Sequence, residues 1–311
     1  MNTNLPKVMQ PLGGRSLVSY VISTAQKSSK KITVVVGHQK ELLKKHLAEI
    51  DSNIQITSQD KQLGTAHAVK TVSHLIQDDE KVLILYGDVP LISDKTIQSL
   101  INSKSKCTLL SMILSDPTGY GRIVFDEKSF ALKIIEQKDA SEEERNIKEV
   151  FSGIMMIDGS LLGPALEEIN NQNAASEYYL TDLVEILSAK GVKINCIQAN
   201  PTELLGANNK QELHELESIL REMSAEKLLE QGITLLDASR VDVRGEVEAG
   251  KDCSVDINVI FEGKVTLGEN VTIKSNVVLS DVSIGDNSII ESFSHLSSAL
   301  VGSNCNIGPY A

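Results

Sequence analysis

The sequence predicts an α/β protein in two parts: a mostly parallel sheet covered by helices on both faces, then a parallel β-helix of hexapeptide repeats. Three observations carry this. Short apolar runs alternate with helical patterns from residue 15 to about 209, and one long amphipathic helix follows. Past about residue 240 the apolar period becomes six. The expected boundaries are 1–209 for the α/β domain, 210–232 for a connecting helix and 233–311 for the repeat.

The alternation begins with KITVVVG (31–37), followed by QKELLKKHLAEI, whose Leu42, Leu43, His46, Leu47 and Ile50 fall on one helical stripe. NIQITSQ (53–59) precedes GTAHAVKTVSHLI, and KVLILYG precedes SDKTIQSLINS. Further strands are expected at 107–114, 121–125, 131–137, 153–157 and 193–199. In KVLILYGDVPLIS (81–93) the apolar residues Val82 to Tyr86 read as a strand buried on both faces, closed by Gly87 and Asp88. Ligands of such sheets collect at the carboxyl ends of strands, so Asp88 is expected on the floor of a crevice. The plainer reading is a polar turn after a strand.

Residues 210–231 carry Leu213, Leu216, Ile219, Leu220, Met223 and Leu228 at helical spacing, with Gly232 as the stop. Beyond, steps of six from Val243 give Ala249, Val255, Phe261, Leu267, Ile273 and Leu279, all apolar. A five-residue step resets the frame to Ile284, Ile290 and Leu296, and another leads to Val301 and Ile307. Gly268, Gly285, Gly302 and Gly308 directly follow four of these positions. A sandwich of short strands would alternate with period two and would not hold period six.

The 311 residues suffice for two cores, and 41% apolar with 23% charged residues is ordinary globular composition. A formal charge of -12 and a pI near 5.0 exclude broad electrostatic binding to nucleic acid or to an anionic membrane surface. No apolar run approaches the roughly 20 residues of a membrane span. The N-terminus lacks the apolar core of a signal peptide, so a cytoplasmic setting is expected. The four cysteines lie far apart and read as reduced thiols in or near cores. The histidines show no ligand spacing, and His67 reads as packing or surface.

Gly64 and Thr65 open a helix, where free N–H groups hold a ligand oxygen, although Thr65 equally suits a simple cap. Lys7 follows a proline-stiffened turn and by itself is an ordinary solvated lysine. Together, LPKVMQPLGGRSLVSYVI, QLGTAHA, LYGDVPLI, DPTGYGRIV, IIEQKDA, EYYLTDLV and GANNKQEL resemble the uridylyltransferase half of a bacterial bifunctional family. That family is N-acetylglucosamine-1-phosphate uridylyltransferase/glucosamine-1-phosphate acetyltransferase. The resemblance runs in order over essentially the whole chain, including the connecting helix and the hexads.

The resemblance implies a Rossmann-like nucleotidyltransferase domain followed by a truncated left-handed β-helix. It implies attack of N-acetylglucosamine 1-phosphate on the α-phosphorus of UTP, giving UDP-N-acetylglucosamine and pyrophosphate. Mg²⁺ is the implied cofactor, with Asp88 and Asn208 as its protein ligands, and Lys7 steadies the phosphates. Gln59, Gly64 and Thr65 match positions around the uracil; Tyr86, Gly87, Gly121 and Glu136 match positions around the ribose and the N-acetylated sugar. A homotrimer is implied for the full-length form, with no nucleic acid or membrane partner.

Three departures qualify the resemblance. The family begins with a strand and a glycine-rich, arginine-bearing loop before the lysine, whereas this sequence opens at Met1 just before Leu5; the chain as given is therefore expected to be impaired. Phe151 stands where the family has an asparagine that contacts the sugar. The sequence stops at Ala311 inside the repeat, so acetyl-CoA binding is assigned to no residue. The alternatives are another sugar-1-phosphate nucleotidyltransferase, and a non-catalytic nucleotide-sugar-binding or assembly module.

Overall fold

A computed structural model describes residues 1, 3–37 and 39–311. It divides into two compact units: residues 3–9 with Leu17–Gly206, and Gln10–Ser16 with Ala207–Ala311. The short hairpin β1 (Pro11–Leu12) and β2 (Arg15–Ser16) belongs to the second unit and leads in sequence to α1 (Leu17–Ser28) of the first.

In the first unit the expected alternation is present. β3 (Thr33–Val36), α2 (Lys40–Ile50) and β4 (Gln55–Ser58) form a β–α–β unit, with β3 and β4 parallel. Leu43 and Leu47 of the predicted stripe are buried, while Leu42 faces out. The helix expected after Gly64 is shorter than predicted: α3 (Thr65–Lys70) gives way to a 3-10 turn at Ser73–Leu75. β5 (Lys81–Ile84), α4 (Asp94–Ile101), β6 (Cys107–Ile113), β7 (Gly121–Phe125), β8 (Ala131–Ile135) and β9 (Glu149–Asp158) follow. The unit closes with α5 (Gly159–Glu168), α6 (Asp182–Ala189), β10 (Ile194–Gln198) and α7 (Pro201–Leu204).

Six of these strands form one sheet in the order β10-β6-β9-β7-β8, with β5 also on β9. The expectation of a mostly parallel sheet needs correction here. Only β10 pairs in parallel, with β6; the pairings β6–β9, β5–β9, β7–β9 and β7–β8 are antiparallel. The cause is β9, ten residues long and apolar on both faces, which runs against its neighbours through the middle of the sheet. The predicted strand at 82–86 also ends early, at Ile84, and is half-buried rather than buried, because it pairs with β9 alone. Its two faces are still covered: Val82 and Ile84 pack on one core, Leu83 and Leu85 on another.

β9 divides one edge between two strands. Ile84 of β5 stands opposite Met155, and Gly121 of β7 stands opposite Phe151. Between them β9 bulges against β6, where the register jumps from Leu109↔Met155 to Ser111↔Phe151. The bulge is closed by Ser152, whose Oγ donates to Leu110 O at 2.9 Å and accepts the Ile154 N–H at 3.2 Å. Gly153 sits in the bulge at φ 90°, and any Cβ there would come within 2.7 Å of the Tyr86 ring. The sheet therefore opens a seam where β5 and β7 part, with Tyr86–Asp88 on one lip and Gly121 on the other.

The second unit opens with α8 (Lys210–Glu230), capped by Asn209, whose side chain accepts the Glu212 N–H at 2.8 Å. Leu213, Leu216, Ala225 and Leu228 are its buried residues, and Met223 of the predicted stripe faces out. The next strands are β11 (Thr234–Leu235), β12 (Val241–Ala249), β13 (Ser254–Val255), β14 (Val259–Leu267), β15 (Thr272–Ile273), β16 (Val278–Ser280) and β17 (Ser283–Ile284). β18 (Ile289–Ile290), β19 (His295–Ser297), β20 (Leu300–Val301) and β21 (Asn306–Ile307) end the chain. All pair in parallel; partners lie 18 residues apart early, as in Arg244–Glu262, and 17 later, as in Lys264–Asp281.

The predicted row Val255, Phe261, Leu267, Ile273, Leu279, Ile284, Ile290 and Leu296 is buried, with Val243, Ala249, Val301 and Ile307 partly so. A second row, two residues earlier in each hexad, is buried beside it: Val241, Val247, Cys253, Val259, Val265, Val271 and Val277. Between the hexads, Asn258, Asn270, Asn276 and Asn287 take left-handed turns and stack in pairs, with Asn258 Nδ2 donating to Asn276 Oδ1 at 2.9 Å. The four cysteines are free thiols, and burial pushes those of Cys107 and Cys196 up to about 12. Among the described residues no helix is long and apolar enough to cross a membrane.

Candidate active site

The first lip carries the charges. Lys7 lies in a one-turn 3-10 helix, Lys7–Met9, packed over Gly87, where an added Cβ would stand 3.3 Å from Val8. The approach places the Lys7 ammonium on the Asp88 carboxylate as an ion pair, the two side chains 35% and 20% exposed. Gly206 closes in behind; a Cβ there would lie 3.4 Å from Asp88 Oδ2 and 3.2 Å from Asp88 O. Glycine at that position avoids crowding the Asp88 carbonyl.

The turn before α3 is shaped by a single glycine. Gly64 has φ 113°, and a side chain there would strike Tyr178 O at 2.4 Å. The space is needed because Tyr178 donates to Leu63 O at 2.8 Å and accepts the Ala66 N–H at 3.0 Å. Gln59, at the end of β4, sends Nε2 to Gly64 O at 3.0 Å and to His67 Nδ1 at 2.9 Å. His67, read from sequence as packing or surface, thus fixes Gln59. A cavity of about 570 Å³ opens beside Gln59, lined also by Gly37, Lys40, Asp60 and Gln62.

The second lip carries Glu136, just past β8. Its Oε1 would lie 3.6 Å from a Cβ on Gly121 and accepts the Thr181 hydroxyl at 2.9 Å. Burial raises the Glu136 carboxyl above the ordinary carboxylate range, and the Thr181 hydrogen bond pulls it back. Tyr86 stands between the lips. Burial pushes its phenol up to about 12, the Glu136 and Asp88 carboxylates add to the rise, and a hydrogen bond with Thr65 opposes it. Thr65 in turn accepts the Leu180 N–H at 3.0 Å.

Lys7, Gln59, Gly64, Thr65, Tyr86, Gly87, Asp88, Gly121 and Glu136 therefore all lie in the first unit, linked through Tyr86 and the 178–181 segment. Asn208 lies in the second unit, where its N–H and Nδ2 donate to Glu212 Oε2 at 2.7 and 3.1 Å. Phe151, in place of the family's asparagine, is 4% exposed and built into the core. Sequence reasoning missed Gly153, Gly206, Tyr178 and Thr181; the two glycines follow from close approach, and Thr181 stands inside the quoted EYYLTDLV motif.

The donor set bears on Mg²⁺. Among the described residues no three acidic, histidine or cysteine groups converge. Mg²⁺ does not require such a cage, since it binds through one or two carboxylates plus waters and substrate phosphates. Asp88 offers one such carboxylate, and the Lys7 ammonium already stands on it as a cation would. The residues fit a metal held jointly with a nucleotide.

A family profile described as nucleotidyl transferase matches residues 2–200. The bifunctional protein GlmU of Idiomarina loihiensis is 42% identical over 315 aligned positions, covering all of this chain and 69% of that protein. The chain belongs to the GlmU family of nucleotidyltransferases. The GlmU of Burkholderia multivorans is 43% identical with the same coverage. A UDP-glucose pyrophosphorylase solved with UDP-glucose shares the fold of the first unit's class, with a TM-score of 0.58 at 17% identity over 70% of this chain and 91% of that one. As a GlmU-family member the chain is a nucleotidyltransferase enzyme, built on a Rossmann-like α/β fold.

Proposed function

We propose that the chain transfers the uridylyl group of UTP to N-acetylglucosamine 1-phosphate. A phosphate oxygen of the sugar attacks the α-phosphorus, the bond to the β-phosphate breaks, and pyrophosphate leaves with the bonding electrons. The attacking oxygen is already ionised at neutral pH, so the protein's work is placement and charge neutralisation rather than proton removal. The Gly64–Thr65 turn, with Gln59 held by His67, receives the uracil. Lys7 neutralises phosphate charge, and the half-buried Glu136 over Gly121 accepts hydrogen bonds from the acceptor sugar. Asp88 would hold Mg²⁺, which when bound supplies positive charge to the phosphates; the role of Asn208 as a further ligand rests on the family resemblance alone.

The observation that carries the reading is the Lys7–Asp88 pair, joined through Tyr86 to the Thr65 turn and to the half-buried Glu136 carboxylate. Pyrophosphate release is the test, with UTP or TTP against N-acetylglucosamine 1-phosphate or glucose 1-phosphate. Fastest release with UTP and the N-acetylated sugar is expected. Equal or faster release with glucose 1-phosphate, or none with any pair, would overturn the reading. The second unit reads as a parallel β-helix, and the homotrimer of the full-length form rests on the resemblance.

A further inference from the structure

Thr181 occupies the N-cap of α6 yet makes no side-chain hydrogen bond to that helix. A threonine there ordinarily turns its hydroxyl onto the exposed N–H groups of the first turn. Here the hydroxyl, on a residue 5% exposed, donates to Glu136 Oε1 instead. That oxygen is the one facing Gly121, so the bond fixes the carboxylate over the start of β7. The other oxygen takes no hydrogen bond among the described residues and is left to a ligand.

The segment bearing Thr181 is itself pinned. Tyr178 exchanges two hydrogen bonds with Leu63 and Ala66, and Leu180 donates to Thr65 Oγ1. Three residues of the 178–181 segment thus grip the Gly64–Thr65 turn at one end and Glu136 at the other.

We propose that Thr181 is a positioning residue for the transfer, holding Glu136 over Gly121 in the ionised, acceptor-only state that receives hydroxyl and amide donors of the acceptor sugar. The proposal rests on the uridylyltransferase reading above. The surrounding charges explain why a donor is needed. Burial, Asp139 after β8 and Glu177 before α6 all raise the Glu136 carboxyl. Asp182 and Glu185 of α6 belong to the same acidic group, with the phenols of Tyr86 and Tyr179. Against these stand Arg122 of β7 and the Thr181 hydroxyl, and the hydroxyl is the stronger of the two.

The test compares Thr181→Val, which keeps the branched shape without the hydroxyl, with Thr181→Ser, which keeps the donor. In Thr181→Val the KM for the sugar phosphate should rise about tenfold and the KM for UTP less than about twofold, the scale of one hydrogen bond to a charged group. Loss of the donor lifts the carboxyl further, so the acid limb of kcat/KM should move to higher pH, and Thr181→Ser should restore it. Carbon-13 titration of the Glu136 carboxyl in the ligand-free protein, assigned with Glu136→Gln, should show the same upward shift. An unmoved titration and acid limb in Thr181→Val, even with a lowered melting temperature, would overturn the proposal in favour of simple packing. If the wild-type chain forms no UDP-sugar, the uridylyltransferase reading falls, and the carboxyl titration still decides what the hydroxyl does.

Discussion

Asp88 joins three constraints in one residue: the turn after β5, the ammonium of Lys7 and the close approach of Gly206. Asp88→Asn keeps the shape and removes the charge. Turnover at ordinary Mg²⁺ should fall by roughly 10²–10³, the cost of one preorganised electrostatic contact. Circular dichroism should show an unchanged fold, since the pair is partly solvated and exposed ion pairs contribute little to stability. Asn208→Ala should lose less and need more Mg²⁺. Near-normal turnover of Asp88→Asn across a Mg²⁺ titration would remove Asp88 from the metal role. Gly64 is the other residue whose identity is forced. Gly64→Ala must move Tyr178 away, so UTP binding measured by calorimetry should weaken while His67 and Gln59 remain intact.

At the scale of elements, α6 begins in an acidic setting that has a pH signature. Asp182 in its first turn is raised to about 6, first by burial and then by Glu185, Glu136 and Asp139. A carboxyl whose folded value lies above its unfolded value of 3.8 disfavours the folded state once ionised. The penalty is absent below about pH 4, grows between 4 and 6, and is complete above. Asp182→Asn should therefore raise the melting temperature at pH 8 and leave it unchanged at pH 4; equal effects at both would refute the assignment. The elements themselves were largely legible in sequence, because β3, β4, β6, β7, β8 and β10 are local apolar runs and α2 and α4 local stripes. Their pairing was not, since the direction of β9 depends on neighbours far away in the chain. Thr181 was illegible for a related reason: a threonine before Asp182 has the form of an ordinary cap, and only tertiary packing turns its hydroxyl to Glu136.

At the scale of the whole molecule, each unit has its own core: the row around Phe261 in the second, and the packing on both faces of β9 in the first. The period of six was legible because each coil repeats the same local geometry, and the companion row at Val259 and Val265 obeys the same count. Phe261 is almost wholly buried, and Phe261→Ala should cost about 3–5 kcal/mol of coil stability. The thermal transition of the coil should fall while UTP affinity of the first unit stays within about twofold, as sites without shared partners behave additively. Loss of both would mean that the cores are not independent.

The parting of β5 from β7 along β9 leads the Lys7–Asp88 pair and the Gly121–Glu136 pair out of separate strands. The segment running from β5 to Asp88 and the strand β7 that opens at Gly121 each pair with β9 and not with each other, and Glu136 lies just past β8. On the proposed assignment, substitutions at Gly121 or Glu136 alter the choice of acceptor and leave the phosphate contacts of Lys7 and Asp88 in place.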